Sequence, residues 1–412
     1  MIYYPDILDI IFDTLHKHHI KPIIVGGYIR DSLLGKDSKD IDIELYGVAS
    51  LAHIEEILKG FGKIITVGKS FGVCKLLYND LDLDFSLPRT ETKVSAGHTG
   101  FKISTFANLD FKTAAQRRDF TLNAIGFDIE NKVFLDPYNG REALRQKVLH
   151  FVNKKSFAED PLRILRAVQF CSRFDFSMSE ELFSLCKEMI SHNMLQELPK
   201  ERVYEEIKKL LLQSKKPSVG LLLLKNLGAF SYFKEFLTLD ENMWQKTLLA
   251  IDFMATQFTN DAQTNIVLML GLLSLSFEQN AKISFLKRLS DEKKLLPCVL
   301  ELQECNLQEK MNDATLMRLA CKATMKHCIL LSLALYPQNA ATYLAIQKRA
   351  QKLEILYKAP KAVLYGKDLI NLGLEPSVKF SQILQNAYDA QINGEFKTNA
   401  EAQLWLKRKL FS

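Results

Sequence analysis

Several patterns that are typical of proteins with structural zinc sites, of membrane-spanning proteins or of secreted proteins are missing from this sequence. Its seven cysteines form no Cys-x-x-Cys pair, so we do not expect a structural zinc site. The longest apolar run, residues 266–277, contains two serines and is too short to cross a bilayer. Because no basic and then apolar leader opens the chain, we expect a cytoplasmic protein with no membrane attachment.

Two common phosphate-binding signatures are also absent. The chain has neither the spaced three-glycine fingerprint of dinucleotide-binding proteins nor the G-x-x-x-x-G-K-[ST] phosphate loop. With 412 residues and 47% hydrophobic content, it is nevertheless large enough to bury a sizeable core in two or more domains. The mild net charge of +6 permits a polyanionic partner without requiring one.

The pattern of apolar residues changes character near residue 152. Before that point, short alternating segments predict strands at 23–25, 41–46, 63–67, 72–78, 81–87, 124–129 and 133–135. Residues 88–112 are polar and contain two glycines, which predicts a long mobile loop with a functional role. From Ser156 the pattern is helical almost to the end. We therefore predict an α+β chain, with a head of about 150 residues that contains a small mixed sheet, followed by an all-α body and tail.

A glycine pair and alternating aspartates point to metal-dependent nucleotide chemistry. Gly26 and Gly27 would let backbone N–H groups approach a phosphate closely. Asp40 and Asp42 lie two apart on a predicted strand and so share one face, where an oxygen-preferring divalent ion such as Mg²⁺ would relieve their repulsion. Asp84, on the predicted strand 81–87, is our choice for the third carboxylate of a two-metal site. The alternative is that these acids only protect an exposed strand edge.

Arginines follow the glycine pair and recur after the polar segment. Arg30 lies one turn into the helix predicted after Gly27, where a guanidinium suits phosphate. Arg117 and Arg118 precede Asp119, which could fix one of them in a single rotamer and offer it to a ribose hydroxyl or a triphosphate. Asn123 follows within the same segment. Three consecutive charged residues on a solvated surface are the simpler alternative.

A second charged segment begins the helical part of the chain. Glu159 and Asp160 precede a proline at the start of a predicted helix, which by itself is ordinary capping chemistry. Asp160 and Arg163 lie three apart, so a carboxylate acceptor and a guanidinium donor could meet the Watson–Crick edge of a nucleobase together. Arg166 continues the same helix face and completes the candidate nucleotide-binding set.

Seven motifs occur in a fixed order that resembles a known family. They read VGGYIRDSLLG…KDIDIE, TVGKSFGV, DFSLPRTETK…GHTGF, RRDFTLNAI, DPYNG, EDPLRILRAVQF and PKERVYEEIKKLL. In this order and at these spacings the chain resembles class II tRNA nucleotidyltransferases, the bacterial CCA-adding enzymes, with which bacterial poly(A) polymerase I shares its head. The resemblance covers about residues 22–235 strongly and the remainder loosely.

The resemblance implies a polymerase-beta-like catalytic head at residues 1–152 and a helical neck with the nucleobase-selecting motif at 153–235. A helical body at 236–345 and a tRNA-binding tail at 346–412 would follow. It assigns catalysis to Asp40, Asp42 and Asp84, with metal held by Asp40 and Asp42. Nucleotide binding falls to Gly26, Gly27, Arg30, Arg117, Arg118, Asp119, Asp160 and Arg163, to which we add Asn123 and Arg166 from the same segments. Glu201 and Arg202 match a neck motif for which we expect a stabilising role.

The implied activity is template-independent addition of CCA to the 3′ end of tRNA from CTP and ATP, with Mg²⁺ and release of pyrophosphate. The tRNA acceptor arm is the expected partner, and the sequence leaves the oligomeric state open. Addition of CC only, of A only or of poly(A) remains an alternative, although the polar segment disfavours a CC-only enzyme. A catalytically silent RNA-binding protein is a further alternative, disfavoured by both acids of Asp-x-Asp. None of the eight histidines precedes an aspartate, so we do not expect the His-Asp phosphohydrolase activity of some relatives.

Overall fold

The chain divides into two compact units, Met1–Lys234 and Glu235–Ser412. The computed structural model describes residues 2–67, 73–93, 101–105 and 109–411. Among these, no helix is both long enough and apolar enough to cross a membrane. The finer division predicted at residues 152 and 345 stays a prediction.

Strands occur in the first unit, within the residues described. They are β1 (Lys21–Val25), β2 (Asp40–Tyr46), β3 (Lys63–Val67), β4 (Val73–Tyr78), β5 (Leu81–Ser86), β6 (Arg89–Lys93), β7 (Phe101–Thr105), β8 (Gly126–Asp128), β9 (Val133–Leu135), β10 (Val148–Leu149) and β11 (Ser177–Met178).

The first unit also holds ten α-helices among the residues described. They are α1 (Ile7–Lys17), α2 (Gly27–Leu33), α3 (Leu51–Leu58), α4 (Phe111–Ala115), α5 (Gly140–Gln146), α6 (Lys154–Ala158), α7 (Leu162–Phe174), α8 (Glu180–Ser191), α9 (Lys200–Gln213) and α10 (Pro217–Asn226).

Seven strands form one mixed sheet in the order β3-β4-β5-β2-β1-β8-β9. Only the central pair β2–β5 is parallel among these neighbours, and the described pairs on either side are antiparallel. One face of β2 is apolar and fully buried through Ile41, Ile43 and Leu45, whereas the alternate positions carry acids. The period of two along this strand therefore separates a core face from a polar face.

The polar segment 88–112 is not the single long loop that we predicted. Strands β6 and β7 lie within it and pair as an antiparallel two-stranded sheet, with Arg89 opposite Thr105. Both strands alternate polar residues with threonine, isoleucine or phenylalanine, which favour extended backbone. Residues 94–100 and 106–108 of the predicted loop, and Gly72 of the predicted strand 72–78, lie outside the described residues. The hairpin turn predicted at Asn79 and Asp80 is confirmed, with Tyr78 paired to Leu81.

After the sheet, the first unit is helical. Helix α7 packs against α9 and α10, and its buried side includes Ile164, Leu165 and Val168. The strand predicted at 124–129 is shorter than expected, since β8 spans Gly126–Asp128; a 3₁₀ turn at Thr121–Asn123 precedes it. This turn contacts α2 and brings Asn123 within hydrogen-bonding distance of Arg30.

The second unit is helical throughout its described residues. Its α-helices are α11 (Glu241–Ala255), α12 (Ala262–Ser274), α13 (Gln279–Leu289), α14 (Leu295–Gln303), α15 (Asp313–Lys322), α16 (Met325–Leu335), α17 (Ala340–Lys352), α18 (Gly366–Asn371), α19 (Lys379–Ile392) and α20 (Asn399–Phe411). The apolar run at 266–277 falls mainly on α12 and is buried, as predicted. A separate apolar cluster around Leu369, Phe396 and Leu406 holds the last three helices together.

Gly140 provides a test of how tightly the first unit is packed beside the 3₁₀ turn. Its N–H donates to Asp136 Oδ1 at 2.6 Å, and a Cβ at this position would lie 2.2 Å from the carbonyl oxygen of Thr121. We expect Gly140→Ala to lower the free energy of unfolding by about 1–3 kcal/mol, because backbone must move to admit the methyl group. Gly60→Ala is the control, since nothing lies within 4 Å of its Cβ position. Urea unfolding of both variants measures the difference, and equal stabilities would contradict this account.

Candidate functional site

A polar cleft in the first unit collects most of the predicted site residues. Its volume is about 440 Å³. The lining residues are Gly26, Gly27, Arg30, Asp42, Arg117, Arg118, Asp119, Asn123, Asp160, Leu162, Arg163, Arg166 and Arg202. All ten predicted nucleotide-binding residues are among them. Segments separated by more than 100 residues thus meet at one place.

The turn between β1 and α2 forms one wall of the cleft. Gly26 has φ +73°, a conformation that residues with a Cβ rarely adopt. A Cβ there would also lie 2.9 Å from Arg118 Nη1 and 3.3 Å from Asp42 Oδ2. The backbone conformation therefore favours a glycine, and the Arg118 side chain would have to shift to admit a Cβ. Its neighbour Gly27 begins α2, whose first N–H groups carry partial positive charge.

The register of the sheet brings three predicted carboxylates to neighbouring positions. Strand pairing places Asp42 opposite Asp84 and Asp40 opposite Asp82 on the parallel strands β2 and β5. Asp84 Oδ1 is buried and forms no hydrogen bond within the described residues, although Lys75 Nζ lies 3.4 Å away. No group of three or more His, Cys, Asp or Glu side chains in the described part of the chain is arranged to hold a metal as it stands. Lys75 therefore lies beside the carboxylate that is the candidate third ligand.

The electrostatic setting of Asp42 favours a bound cation. Surrounding protein displaces water from the carboxylate and raises its pKa, the positive charge of Arg118 opposes this, and the negative charges of Asp84, Glu44 and Asp40 raise the pKa further. The side chain still reaches solvent, so we place it at the mouth of the cleft. Carboxylate oxygens are the ligands that Mg²⁺ prefers, and the repulsion between these acids is what such an ion would remove.

Glu44 was not among the predicted site residues, yet it holds two of them. Its side chain is 1% exposed, and Oε1 accepts hydrogen bonds from Arg117 Nη2 at 2.6 Å and Arg118 Nη2 at 3.0 Å. Oε2 accepts from the Tyr46 hydroxyl at 2.9 Å. Burial alone would raise the pKa of Glu44, but the two guanidinium groups hold it below its usual value. The alternation Asp40, Asp42, Glu44 was the available signal.

Asp119 and Asn123 connect arginines from two helices. Asp119 Oδ1 accepts from Asn123 Nδ2 at 2.9 Å, and Oδ2 accepts from Arg166 Nη2 at 2.6 Å. Burial would raise the pKa of Asp119, but Arg166, Asn123 and Arg163 lower it below its usual value. Asn123 Oδ1 in turn accepts from Arg30 Nη1 at 2.7 Å. A continuous hydrogen-bonded chain therefore crosses the floor of the cleft.

Arg30 is more deeply buried than a phosphate-binding arginine need be. Its Nε and Nη2 donate to both oxygens of Asp31 at 2.8 Å, and its guanidinium carbon lies 5.1 Å from the ring centroids of Phe170 and Phe174. These contacts fix α2 against α7. Arg30 therefore lines the cleft and also stabilises the packing of α2 against α7.

The candidate base-reading residues share the cleft but bond to other partners. Asp160 accepts from Arg202 Nη2 at 3.1 Å and from the N–H of Leu162 at 3.1 Å. Arg163 donates to the carbonyl oxygens of Ser156 at 3.1 Å and Arg117 at 2.7 Å. The bond to the N–H of Leu162 is the capping contact foreseen for Asp160. Joint recognition of a base by Asp160 and Arg163 stays a prediction.

Arg202 lies closer to the site than we expected, because it lines the cleft and pairs with Asp160. Glu201, its neighbour in the same motif, is exposed. Helical periodicity on α9 separates these two adjacent residues onto different faces. That period was the signal that could have distinguished them.

Comparison with protein families identifies two regions of the chain. Residues 23–150 match the poly A polymerase head domain, and residues 175–239 match a probable RNA- and SrmB-binding site of polymerase A. A CCA-adding enzyme from Marinobacter nauticus is 34% identical over 252 residues, which cover 60% of this chain and 64% of that protein. A multifunctional CCA protein from Xylella fastidiosa is 36% identical over 213 residues, which cover 51% and 49%. The chain thus spans about half to just under two thirds of these relatives.

Solved structures share the fold along almost the whole chain. The CCA-adding enzyme of Bacillus stearothermophilus in complex with CTP has a TM-score of 0.76 at 23% identity and covers 99% of this chain and 98% of its own. That of Thermotoga maritima, in complex with tRNA, has a TM-score of 0.65 at 19% identity, with coverage of 99% and 96%. At these identities the likeness concerns the fold alone. The chain has the polymerase-beta-like head with a mixed sheet and the mostly helical remainder that its sequence predicts.

The buried pair of Asp119 and Arg166 makes a prediction about acid stability. The pKa of Asp119 is lowered in the folded protein, so its ionised form stabilises the fold above the ordinary pKa of about 3.9, and this contribution is lost as pH falls through the folded value. Asp119→Asn should lower the free energy of unfolding at pH 7 by about 3–5 kcal/mol, because Arg166 loses its buried partner.

Urea unfolding of both proteins between pH 7 and pH 3 tests this expectation. The difference in free energy of unfolding between wild type and Asp119→Asn should become smaller below about pH 4, as the wild-type carboxylate is protonated. Asp13→Asn, at an exposed position of α1, is the control and should change stability little at any pH. A difference that stays constant down to pH 3 would show that the charge of Asp119 contributes nothing.

Proposed function

We propose that this chain adds C, C and A to the 3′ end of tRNA from CTP and ATP. Residues 23–150 match the poly A polymerase head domain, and the similar proteins from Marinobacter nauticus and Xylella fastidiosa are named CCA-adding enzyme and multifunctional CCA protein. The supporting observation is that the ten candidate nucleotide-binding residues and Asp42 line a single cleft. The reaction forms a bond between the terminal 3′-oxygen of the RNA and the α-phosphorus of the nucleotide. It breaks the bond to the bridging oxygen and releases pyrophosphate.

Phosphate binding falls to the turn before α2 and to the arginine pair. Gly26 and Gly27 leave room for the triphosphate beside backbone N–H groups. Arg117 and Arg118 present guanidinium donors at the same wall, held from behind by Glu44. Guanidinium groups bind phosphate oxygens with paired hydrogen bonds and stabilise the charge that develops on the leaving pyrophosphate.

Asp40 and Asp42 would hold the Mg²⁺ ion, with Asp84 as the third candidate. The ion, when bound, promotes ionisation of the attacking hydroxyl and offsets negative charge at phosphorus. The protein supplies the register between β2 and β5, which keeps these carboxylates on one face of the sheet. Gly26 keeps the space beside Asp42 open for the reacting phosphate.

Base selection is proposed for Asp160 and Arg163. The Asp160 carboxylate has about four lone-pair sites, and bonds to Arg202 and to the N–H of Leu162 leave room to accept from an exocyclic amine. Arg163 uses two of its five N–H groups on backbone carbonyls, so further donors are available for ring nitrogen or carbonyl acceptors. A donor and an acceptor side by side read cytosine and adenine by their Watson–Crick edges.

The direct test is incubation with a tRNA that ends at the discriminator base. CTP alone should extend it by two residues, ATP alone by none, and both together by CCA, as read by sequencing the 3′ ends. Extension by CC only, by A only or by a long A tract would identify one of the alternative transferases. No extension with any nucleotide, for a folded protein that still binds tRNA, would favour a silent RNA-binding protein. A cytoplasmic location stays a prediction.

Asp42→Asn tests the metal-ligand assignment. We expect incorporation of labelled CTP into tRNA to fall by more than about 10³-fold, because loss of a ligand adds several kcal/mol to the barrier. Without divalent ions, the unfolding temperature of Asp42→Asn should equal or exceed that of wild type, because one of several mutually repelling carboxylates is neutralised. Asp13→Asn, whose carboxylate lies on an exposed helix face, should leave turnover unchanged. Near-normal turnover of Asp42→Asn would refute the assignment.

Asp160→Ala tests the base-reading assignment. Selection between CTP and ATP in direct competition should weaken by about 10-fold or more, since one hydrogen-bonding partner of the base is removed. The KM for tRNA should change little. Lys155→Ala, at an exposed position of the neighbouring helix, is the control. Unchanged nucleotide selection by Asp160→Ala would remove the support for a protein template in this chain.

A further inference from the structure

Glu44 is a buried carboxylate behind the two arginines proposed to bind phosphate, Arg117 and Arg118. It is the third acid on the polar face of β2, after Asp40 and Asp42. Unlike those two, it is almost fully buried at 1% exposure. A buried carboxylate is strongly disfavoured unless it is paired and hydrogen-bonded. The partners of Glu44 therefore indicate its role.

One oxygen of Glu44 joins the two arginines. Oε1 lies 2.6 Å from Arg117 Nη2 and 3.0 Å from Arg118 Nη2, so both guanidinium groups converge on a single atom. The other oxygen, Oε2, accepts from the Tyr46 hydroxyl at 2.9 Å. Tyr46 lies on the same face of β2, two residues further along, and therefore fixes the rotation of the carboxylate.

The position of Arg118 is restricted on its other sides. Its Nη1 donates to the carbonyl oxygen of Asn123 at 3.2 Å. The same nitrogen lies so close to Gly26 that a Cβ there would be 2.9 Å away. Glu44 thus holds Arg118 beside the turn that would receive the triphosphate. Glu44 itself does not line the cleft.

We propose that Glu44 is a positioning residue that aligns Arg117 and Arg118 for the transition state and weakens their binding of pyrophosphate. The inference rests on the proposed nucleotidyl transfer. Fixed guanidinium groups stabilise charge on the leaving group without rearranging during the reaction. The carboxylate behind them cancels one positive charge, so the product is held less tightly and can leave.

Neutralising Glu44 should therefore separate catalysis from product affinity. In Glu44→Gln the arginines lose their charged anchor and their common orientation, and kcat for CTP addition should fall by roughly 10- to 100-fold. The site gains one net positive charge, so the dissociation constant of pyrophosphate should fall by roughly threefold to tenfold. A residue that merely supported the fold would weaken pyrophosphate binding when altered.

Isothermal titration calorimetry with pyrophosphate on the full-length protein provides the first measurement. It needs neither tRNA nor turnover, so it remains informative if CCA addition itself is not found. Steady-state kinetics with CTP and tRNA provide the second. Glu142→Gln, an exposed carboxylate on α5 that pairs with Arg145, is the matched control and should leave both quantities unchanged.

Tighter pyrophosphate binding together with a lower kcat supports the proposal. Unchanged or weaker pyrophosphate binding, or an unchanged kcat, in a folded Glu44→Gln protein overturns it. Should Glu44→Gln fail to fold, Tyr46→Phe keeps the charge of Glu44 and removes only its second anchor. For that variant we expect kcat to fall by roughly 2- to 5-fold with pyrophosphate affinity unchanged, and an unaltered kcat overturns the proposal.

Discussion

The pairing of β2 with strands on both sides is the constraint on which the candidate site depends. Asp42 lies opposite Val25 on β1 and opposite Asp84 on β5. Because Val25 directly precedes Gly26, this one register brings the glycine turn and two carboxylates to the same end of the sheet. A shift of one residue along β2 would turn its acids into the core and its isoleucines into the cleft. The large apolar burial of Ile41 and Ile43 prevents such a shift.

Acidic partners determine where the arginines of the cleft point. Arg30 is paired with Asp31, Arg166 with Asp119, Arg202 with Asp160, and both Arg117 and Arg118 with Glu44. Long cationic side chains gathered in one cleft would otherwise repel one another and sample many rotamers. Each carboxylate offsets part of this repulsion and selects one orientation. The arginine side chains of the cleft are consequently ordered by contacts within the protein itself.

Sequence reasoning predicted most of the residues that line the cleft because the motifs fall on elements with a regular period. The two-residue period of β2 put Asp40 and Asp42 on one face, and Asp160, Arg163 and Arg166 lie close together at the start of the helical region. It did not find Glu44, because pairing with Arg117 joins residues 73 apart and depends on packing that no local pattern records. The same limit hid the pairing of Arg202 with Asp160. The segment 88–112 was misjudged for another reason, since its polar composition outweighed the strand preference of its threonines and aromatics.

Hydrogen bonds between distant segments link the proposed base-reading helix to the proposed phosphate-binding wall. Arg163 donates to the carbonyl of Arg117, and Arg166 on the same helix holds Asp119 two residues later. Helix α7 therefore cannot shift without moving the backbone that carries the arginine pair. If the base is read by Asp160 and Arg163, a mismatched base that displaces these side chains also displaces the groups that receive the triphosphate. Discrimination would then act on the reaction rate as well as on binding, because the misaligned phosphates lose the stabilisation that their transition state requires.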